Sequence, residues 1–280
     1  MRTLRVDLEY DGTNYHGWQF QPNAPTIQAK LEDALHRVLG ERVRVVGAGR
    51  TDAGVHALGQ VAHFRTESDR EVQALFRGMN SLLPDDIAVK AVSEASSDFH
   101  ARRSARLKRY EYWILNDPVR SAFHHRFLWH VRGRLDLDGM QRAAESLVGE
   151  HDFASFQASG AEPGRHTVRH LRLLEIRSFR NGIIRIAAEG NAFLRGMVRI
   201  LAGTLVDVGS GRIPEGDVPG ILRAKDRRAA GRTAPGKGLF LNWVRYPEVH
   251  EALSWEKEDP GAGSPPVSGQ PLFDKCGSSH

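Results

Sequence analysis

Leu4, Val6, Leu8 and Tyr10 alternate with polar residues and stop at Asp11-Gly12, the pattern of a half-buried strand closed by a turn. Ile27, Leu31, Leu35 and Val38 then recur at helical spacing between Thr26, an N-cap residue, and Gly40, a helix stop. Two apolar runs, Val43 to Val46 and Leu58 to Phe64, predict strands on either side of a glycine-rich loop. A second helix begins near Arg70, buries Val72, Leu75, Phe76, Met79 and Leu82, and ends at Pro84. Ile87, Val89 and Ala91 continue as a fourth strand, which completes the order βαββαβ in about a hundred residues.

The second half repeats this order. A long strand from Arg106 to Leu115 and a short apolar run, Phe127 to Val131, precede a helix capped by Asp138 with Met140, Ala143, Ala144, Leu147 and Val148 on its buried side. Strands from Val168 to Phe179 and from Ile183 to Ala188 flank Asn181-Gly182, a strong hairpin signal. A helix from Phe193 to Val208, a short helical piece near Val218 to Leu222 and a strand from Leu239 to Tyr246 close the pattern. The fold class expected is therefore α/β in the α+β sense: two tandem βαββαβ halves, 1–103 and 104–248, forming a continuous, largely antiparallel mixed sheet with a cleft between them. From Val249 to His280 proline, glycine, serine and charge replace periodicity, which predicts a tail at least partly disordered.

Charge changes the picture in one respect. The chain of 280 residues carries a net charge of +5, and removing the acidic segment from Val249 leaves +8 on the body, which suits a polyanionic partner. The single cysteine, Cys276, lies in the tail, so neither an internal disulfide nor a thiolate metal site is available. His124 and His125 are adjacent and point to opposite faces of an extended segment, so no metal is expected, and no cofactor is required. The N-terminus has no signal-peptide core and no apolar run nears membrane-spanning length, so a cytoplasmic protein is expected.

Candidate chemistry gathers at Gly47-Ala48-Gly49-Arg50-Thr51-Asp52-Ala53-Gly54-Val55-His56, where one carboxylate sits beside one guanidinium in a backbone built for close approach. The plain alternative is a polar hairpin whose Asp stabilises the turn. A dinucleotide fingerprint fails because Asp52 stands at the third glycine position and a strand follows. Gly231 to Gly238 imitates a P-loop but lacks the Ser/Thr after Lys237 and also leads into a strand. Tyr15-His16-Gly17-Trp18-Gln19-Phe20 supplies aromatics that serve either as a hydrophobic plug or as a stacking surface for bases. In the basic-aromatic strand around Arg106 to Trp113, Lys108, Tyr110 and Tyr112 share one face, an arrangement open to RNA contact or to a half-buried edge. Arg195 and Arg199 stand four apart at a helix start, suited to solvent, phosphate or a buried carboxylate. Arg165 and Arg169 belong to a basic run, Gly164 to Arg172, that fits either phosphate contact or a solvated face.

At these residues the chain closely resembles the tRNA pseudouridine synthase A family. The resemblance rests on Gly49-Arg50-Thr51-Asp52-Ala53-Gly54-Val55-His56-Ala57, the opening Tyr10-Asp11-Gly12-Thr13 with Gly17-Trp18-Gln19, Phe193-Leu194-Arg195 with Met197-Val198-Arg199, Thr233-Ala234-Pro235 and Gly238-Leu239, in the family's order over about residues 2 to 246. It implies isomerisation of uridine to pseudouridine at positions 38, 39 and 40 of the tRNA anticodon stem-loop by a cytoplasmic homodimer without cofactor. Asp52 is then the nucleophile, adding to C6 of uracil or to C1′ of ribose. It must stay ionised in a partly dry pocket, which calls for a neighbouring cation: Arg199, with Arg50 sharing the task or filling the space left by a flipped base. Tyr110 matches the tyrosine that packs on the flipped base or serves as a general base. The extension after Tyr246 has no counterpart, and Gly196 stands where a bulky polar residue is more usual. A plain RNA-binding module of RRM type, or the same scaffold acting on a different RNA, are the competing readings.

Overall fold

The computed structural model describes residues 1–160 and 166–247; the proposed tail, 249–280, and Arg165 lie outside them. Its elements are β1 (Arg2–Tyr10), α1 (Ile27–Leu39), β2 (Val46–Gly47), β3 (His56–Thr66), α2 (Val72–Leu82), β4 (Ile87–Ala95), β5 (Leu107–Asn116), β6 (Trp129–Val131), α3 (Leu137–Glu145), β7 (Gly149–Asp152), β8 (Val168–Ser178), β9 (Ile183–Gly190), α4 (Met197–Gly209), α5 (Val218–Ala224) and β10 (Leu239–Arg245), with short 3₁₀ turns between. Among the described residues no helix is long and apolar enough to cross a membrane.

All ten strands join one sheet in the order β4-β1-β3-β10-β5-β9-β8-β7, with β2 on β3 and β6 on β5. Pairing is antiparallel except for β3 with β10 and β5 with β6. The order β4-β1-β3-β2 recurs as β10-β5-β9-β8, so the α+β fold with tandem halves is what forms. The final strand enters between the halves: Phe240 and Leu241 align with His56 and Ala57 on one side and with Glu111 and Tyr110 on the other.

Side-chain alternation puts Leu4, Val6, Leu8 and Tyr10 of β1 and Tyr110, Tyr112 and Ile114 of β5 in one large cluster with the buried faces of the helices. A smaller cluster of Trp113, Leu115, Leu128, Ile183 and Phe240 lies on the opposite face. α1 begins and ends where its caps dictate: Thr26 Oγ1 accepts from Ala29 N, and Gly40 adopts φ 77°. The Asn181-Gly182 hairpin also forms, both residues taking positive φ (59° and 70°).

Three expectations require correction. The strand expected over Val43 to Val46 shrinks to Val46–Gly47, because α1 side chains take over the backbone groups of Val45: its N–H donates to Glu32 Oε1 (3.0 Å) and its carbonyl accepts from Gln28 Nε2 (3.0 Å). The cap of α3 is Asp136, whose side chain accepts from Gly139 N; Asp138 falls in the first turn, where a carboxylate meets the positive end of the helix dipole. The helix expected from Phe193 starts only at Met197, since Gly196 takes φ 68° and interrupts it. Arg195 therefore lies outside α4, exposed, with Nη1 on the Gly160 carbonyl (3.1 Å), and does not share a helix face with Arg199.

Candidate active site

The loop between β2 and β3 rests in a cradle made by the connection after β1. Trp18 N donates to the Thr51 carbonyl (3.0 Å), and Gly54 N to the Tyr15 carbonyl (3.2 Å). The approach is close enough to require glycine: a Cβ on Gly12 would lie 2.0 Å from the Val55 carbonyl oxygen. Tyr15 and Trp18 are 6% and 2% exposed, so they plug the base of the loop, and only Phe20 of that aromatic trio stands well out in solvent. At the far end His56 stacks on Phe240 at 4.7 Å and accepts a hydrogen bond from Gly12 N on Nδ1 (3.0 Å).

The second wall comes from the other half of the sheet. Every residue of α4 except Arg199 is buried, so this guanidinium is the one polar projection of an otherwise enclosed helix. It divides itself between two partners: Nη1 pairs with Asp52 Oδ2 at 2.8 Å, and Nε donates to the Ala234 carbonyl, also at 2.8 Å. Ala234 N returns a bond to the Arg199 carbonyl (3.0 Å), and Tyr112 donates its hydroxyl hydrogen to the Pro235 carbonyl (2.8 Å), which fixes the segment before β10. That segment also touches the loop itself, since a Cβ on Gly236 would lie 2.4 Å from the Ala53 carbonyl oxygen. The Asp52 and Arg199 side chains remain 32% and 21% exposed, leaving the pair open to a ligand.

Tyr110 stands beside them. Its hydroxyl would be 3.1 Å from a Cβ on Gly49, and its ring meets Phe193 edge-on at 5.0 Å. Burial, reinforced by Tyr10 and Asp52, pushes the hydroxyl pKa above its ordinary value. Arg50, two residues before Asp52, is exposed and makes no hydrogen bond or ion pair to the described residues.

The structure thus brings Asp52, Arg199 and Tyr110 together, with Arg50 on the rim. Lys108, a candidate for RNA contact on a strand that could equally be a half-buried edge, is only 8% exposed and donates to the Ala48 carbonyl at 2.6 Å. Strand alternation is the reason, since positions 108, 110 and 112 share the core-facing side of β5. Arg169, on β8, turns Nη1 to the His166 and Val168 carbonyls (2.8 and 2.6 Å). Among the described residues no three His, Cys, Asp or Glu side chains converge on a common point that could hold a metal. Sequence reasoning passed over Gln60, which is 0% exposed, and Phe193 as a partner of Tyr110; a polar residue within an apolar strand was the available signal for the first.

The profile of a family described as tRNA pseudouridine synthase matches residues 8–102 and 143–247, one stretch in each half of the sheet. A protein of Ruminiclostridium cellulolyticum is 48% identical over 246 residues, covering 88% of this chain and 100% of its own length. One of Pelobacter propionicus is 49% identical over the same span and coverage. One of Myxococcus xanthus is 46% identical and 92% covered. All three are named tRNA pseudouridine synthase A. A solved Cbf5-Nop10-Gar1 complex overlaps 73% of this chain and 54% of its own at 13% identity and a TM-score of 0.29, too loosely to bear on the fold. Identity near one half across nearly nine-tenths of the chain leaves no room for a chance likeness: the chain belongs to the tRNA pseudouridine synthase A family.

Proposed function

We propose that this protein isomerises uridine to pseudouridine at positions 38, 39 and 40 of the tRNA anticodon stem-loop, with Asp52 as the nucleophile. The observation that carries the reading is the 2.8 Å pair between Asp52 Oδ2 and Arg199 Nη1, partly open to solvent and flanked by Tyr110. The reaction breaks the N1–C1′ bond, makes a C5–C1′ bond, removes the proton from C5 and protonates N1, with no net redox change. A group must hold one fragment while the base turns, and a carboxylate can do so by adding to C6 of uracil or to C1′ of ribose.

Either adduct consumes the negative charge on Asp52, so a cation anchored independently of that charge keeps its position through the cycle. Arg199 has such an anchor in the Ala234 carbonyl. The planar fork directs Nε and Nη1 to the two partners at fixed angles, a geometry that the freely rotating ammonium of a lysine does not preset. The raised pKa keeps the Tyr110 hydroxyl protonated near neutral pH, which favours packing on the flipped base over general-base catalysis. Arg50, exposed beside the nucleophile, suits the space that a flipped base leaves in the stem. Family likeness further implies a homodimer in the cytoplasm, for which sedimentation of the tRNA-free protein is the check.

The decisive experiment is Asp52→Asn assayed on an unmodified tRNA transcript. Pseudouridine formation is expected to fall at least about 10⁴-fold with tRNA affinity little changed. Substantial turnover by the variant removes Asp52 from the chemistry.

A further inference from the structure

Lys108 is a buried charge that the reaction does not use. Among the described residues it has no carboxylate partner, and its ammonium donates to a single backbone oxygen, that of Ala48, at 2.6 Å. The next carbonyl along, that of Gly49, is also taken from inside the protein, by Gln60 Nε2 at 2.9 Å. Ala48 and Gly49 form a bend beyond the end of β2, where no strand ladder satisfies their carbonyls. Two side chains do so here, one from β5 and one from β3.

The grip continues along the loop. Gln60 Nε2 also reaches the Tyr10 hydroxyl (3.4 Å), which bonds Thr51 Oγ1 (2.9 Å), the residue immediately before Asp52. Three strands, β1, β3 and β5, thus reach the backbone or side chains of residues 48, 49 and 51 through a buried polar network. Lys108 and Tyr110 lie two apart on one face of β5, so the strand that presents Tyr110 to the site also holds the loop that presents Asp52.

We propose that Lys108, together with Gln60, is a positioning residue that fixes the Ala48–Gly49 backbone and so sets Asp52 in register with Tyr110 across the two halves of the sheet. A purely structural role would be met more cheaply by an apolar side chain, since an unpaired charge is costly to bury. Its burial, aided by the like charge of Arg102, draws the ammonium pKa down to about 8, so the surroundings disfavour the charge and only the bond to Ala48 offsets that cost. A compact ammonium delivers a strong, charge-assisted bond to the one carbonyl that starts the loop.

The proposal rests on Asp52 being the nucleophile, and the test separates the two. Single-turnover rate, tRNA Kd and melting temperature are measured for Lys108→Met, Lys108→Arg and Gln60→Met, with Asp52→Asn in the same series. Lys108→Met is expected to lose about 10- to 100-fold in rate, as a displacement of about 1 Å does, with Kd within about threefold of the parent protein. Lys108→Arg is expected to recover much of that rate by keeping the charge. A parental rate in folded Lys108→Met overturns the proposal, as does a weakened Kd whose salt slope drops by about 1, which would make Lys108 a phosphate contact. If Lys108→Met does not fold, Gln60→Met decides by the same split of rate against affinity, and unfolding of both variants assigns the network to stability alone and also overturns the proposal. Turnover by Asp52→Asn, in contrast, removes the nucleophile and leaves the Lys108 measurements to be read on their own.

Discussion

Two cations reach the loop around Asp52, and the difference between them is where each finds its counter-group. Arg199 meets a carboxylate at 2.8 Å and stays partly solvated. Lys108 meets only a carbonyl and is nearly enclosed, so its charge is a burden on the folded state. The sign of the resulting pH dependence is fixed by its shift. Between about 8, the folded value, and 10.5, the ordinary one, the unfolded chain retains a proton that the folded protein has released. Stability contributed by this residue therefore rises with pH across that window, by at most about 1.4 kcal/mol per pH unit. Other groups titrate there too, and Tyr10, pushed up by burial to about 12, acts in the opposite direction. The comparison that isolates Lys108 is thus the melting temperature of the parent protein minus that of Lys108→Met. This difference is expected to move in favour of the parent as pH is raised above about 8; a difference independent of pH would mean that the ammonium is not desolvated.

At the scale of elements, the site depends on backbones that meet without side chains between them. Gly12 against Val55 is the tightest such contact with the Asp52 loop, and Gly216 offers a control, since a Cβ there meets nothing within 4 Å. Gly12→Ala is expected to cost about 1 to 3 kcal/mol in denaturant unfolding and at least about tenfold in turnover, because the loop must shift to admit the methyl group. Gly216→Ala is expected to alter neither, and a Gly12→Ala protein with parental values would show that the cradle does not set the loop. Most elements were legible from periodicity because α1, α2, β1 and β4 bury one regular face and carry their own caps and stops. What was not legible has two causes: side chains that replace backbone partners, and a backbone turn that periodicity does not register. Gln28 and Glu32 displaced most of β2, and a left-handed Gly196 cut the first turn from α4. The burial of Lys108 was hidden because apolar patterning gives no account of a charged residue on a core-facing position. The meeting of Asp52 with Arg199, 147 residues apart, had no local signal and was reached only through the resemblance of the surrounding motifs.

For the whole molecule, net basic charge and an open carboxylate–guanidinium pair leave the extent of the RNA footprint to be measured. Arg169 belongs to β8 in the second half, whereas Asp52 pairs with Arg199, so its removal is expected to read RNA contact without breaking that pair. Arg169→Ala is expected to weaken tRNA binding and lower the salt slope of log Kd by about 1 while leaving the single-turnover rate at saturation unchanged. An unchanged slope would return this arginine to a role within β8.

The placement of β10 has a consequence for synthesis. The strand that joins β3 to β5, and the Ala234 segment that braces Arg199, come late in the chain, after every other described strand. A nascent polypeptide still holding residues 234–245 in the ribosome tunnel lacks both the strand between β3 and β5 and the carbonyl that anchors Arg199. The Asp52–Arg199 pair is therefore expected to gain its full bracing only when the closing strand emerges and slots into the middle of the sheet.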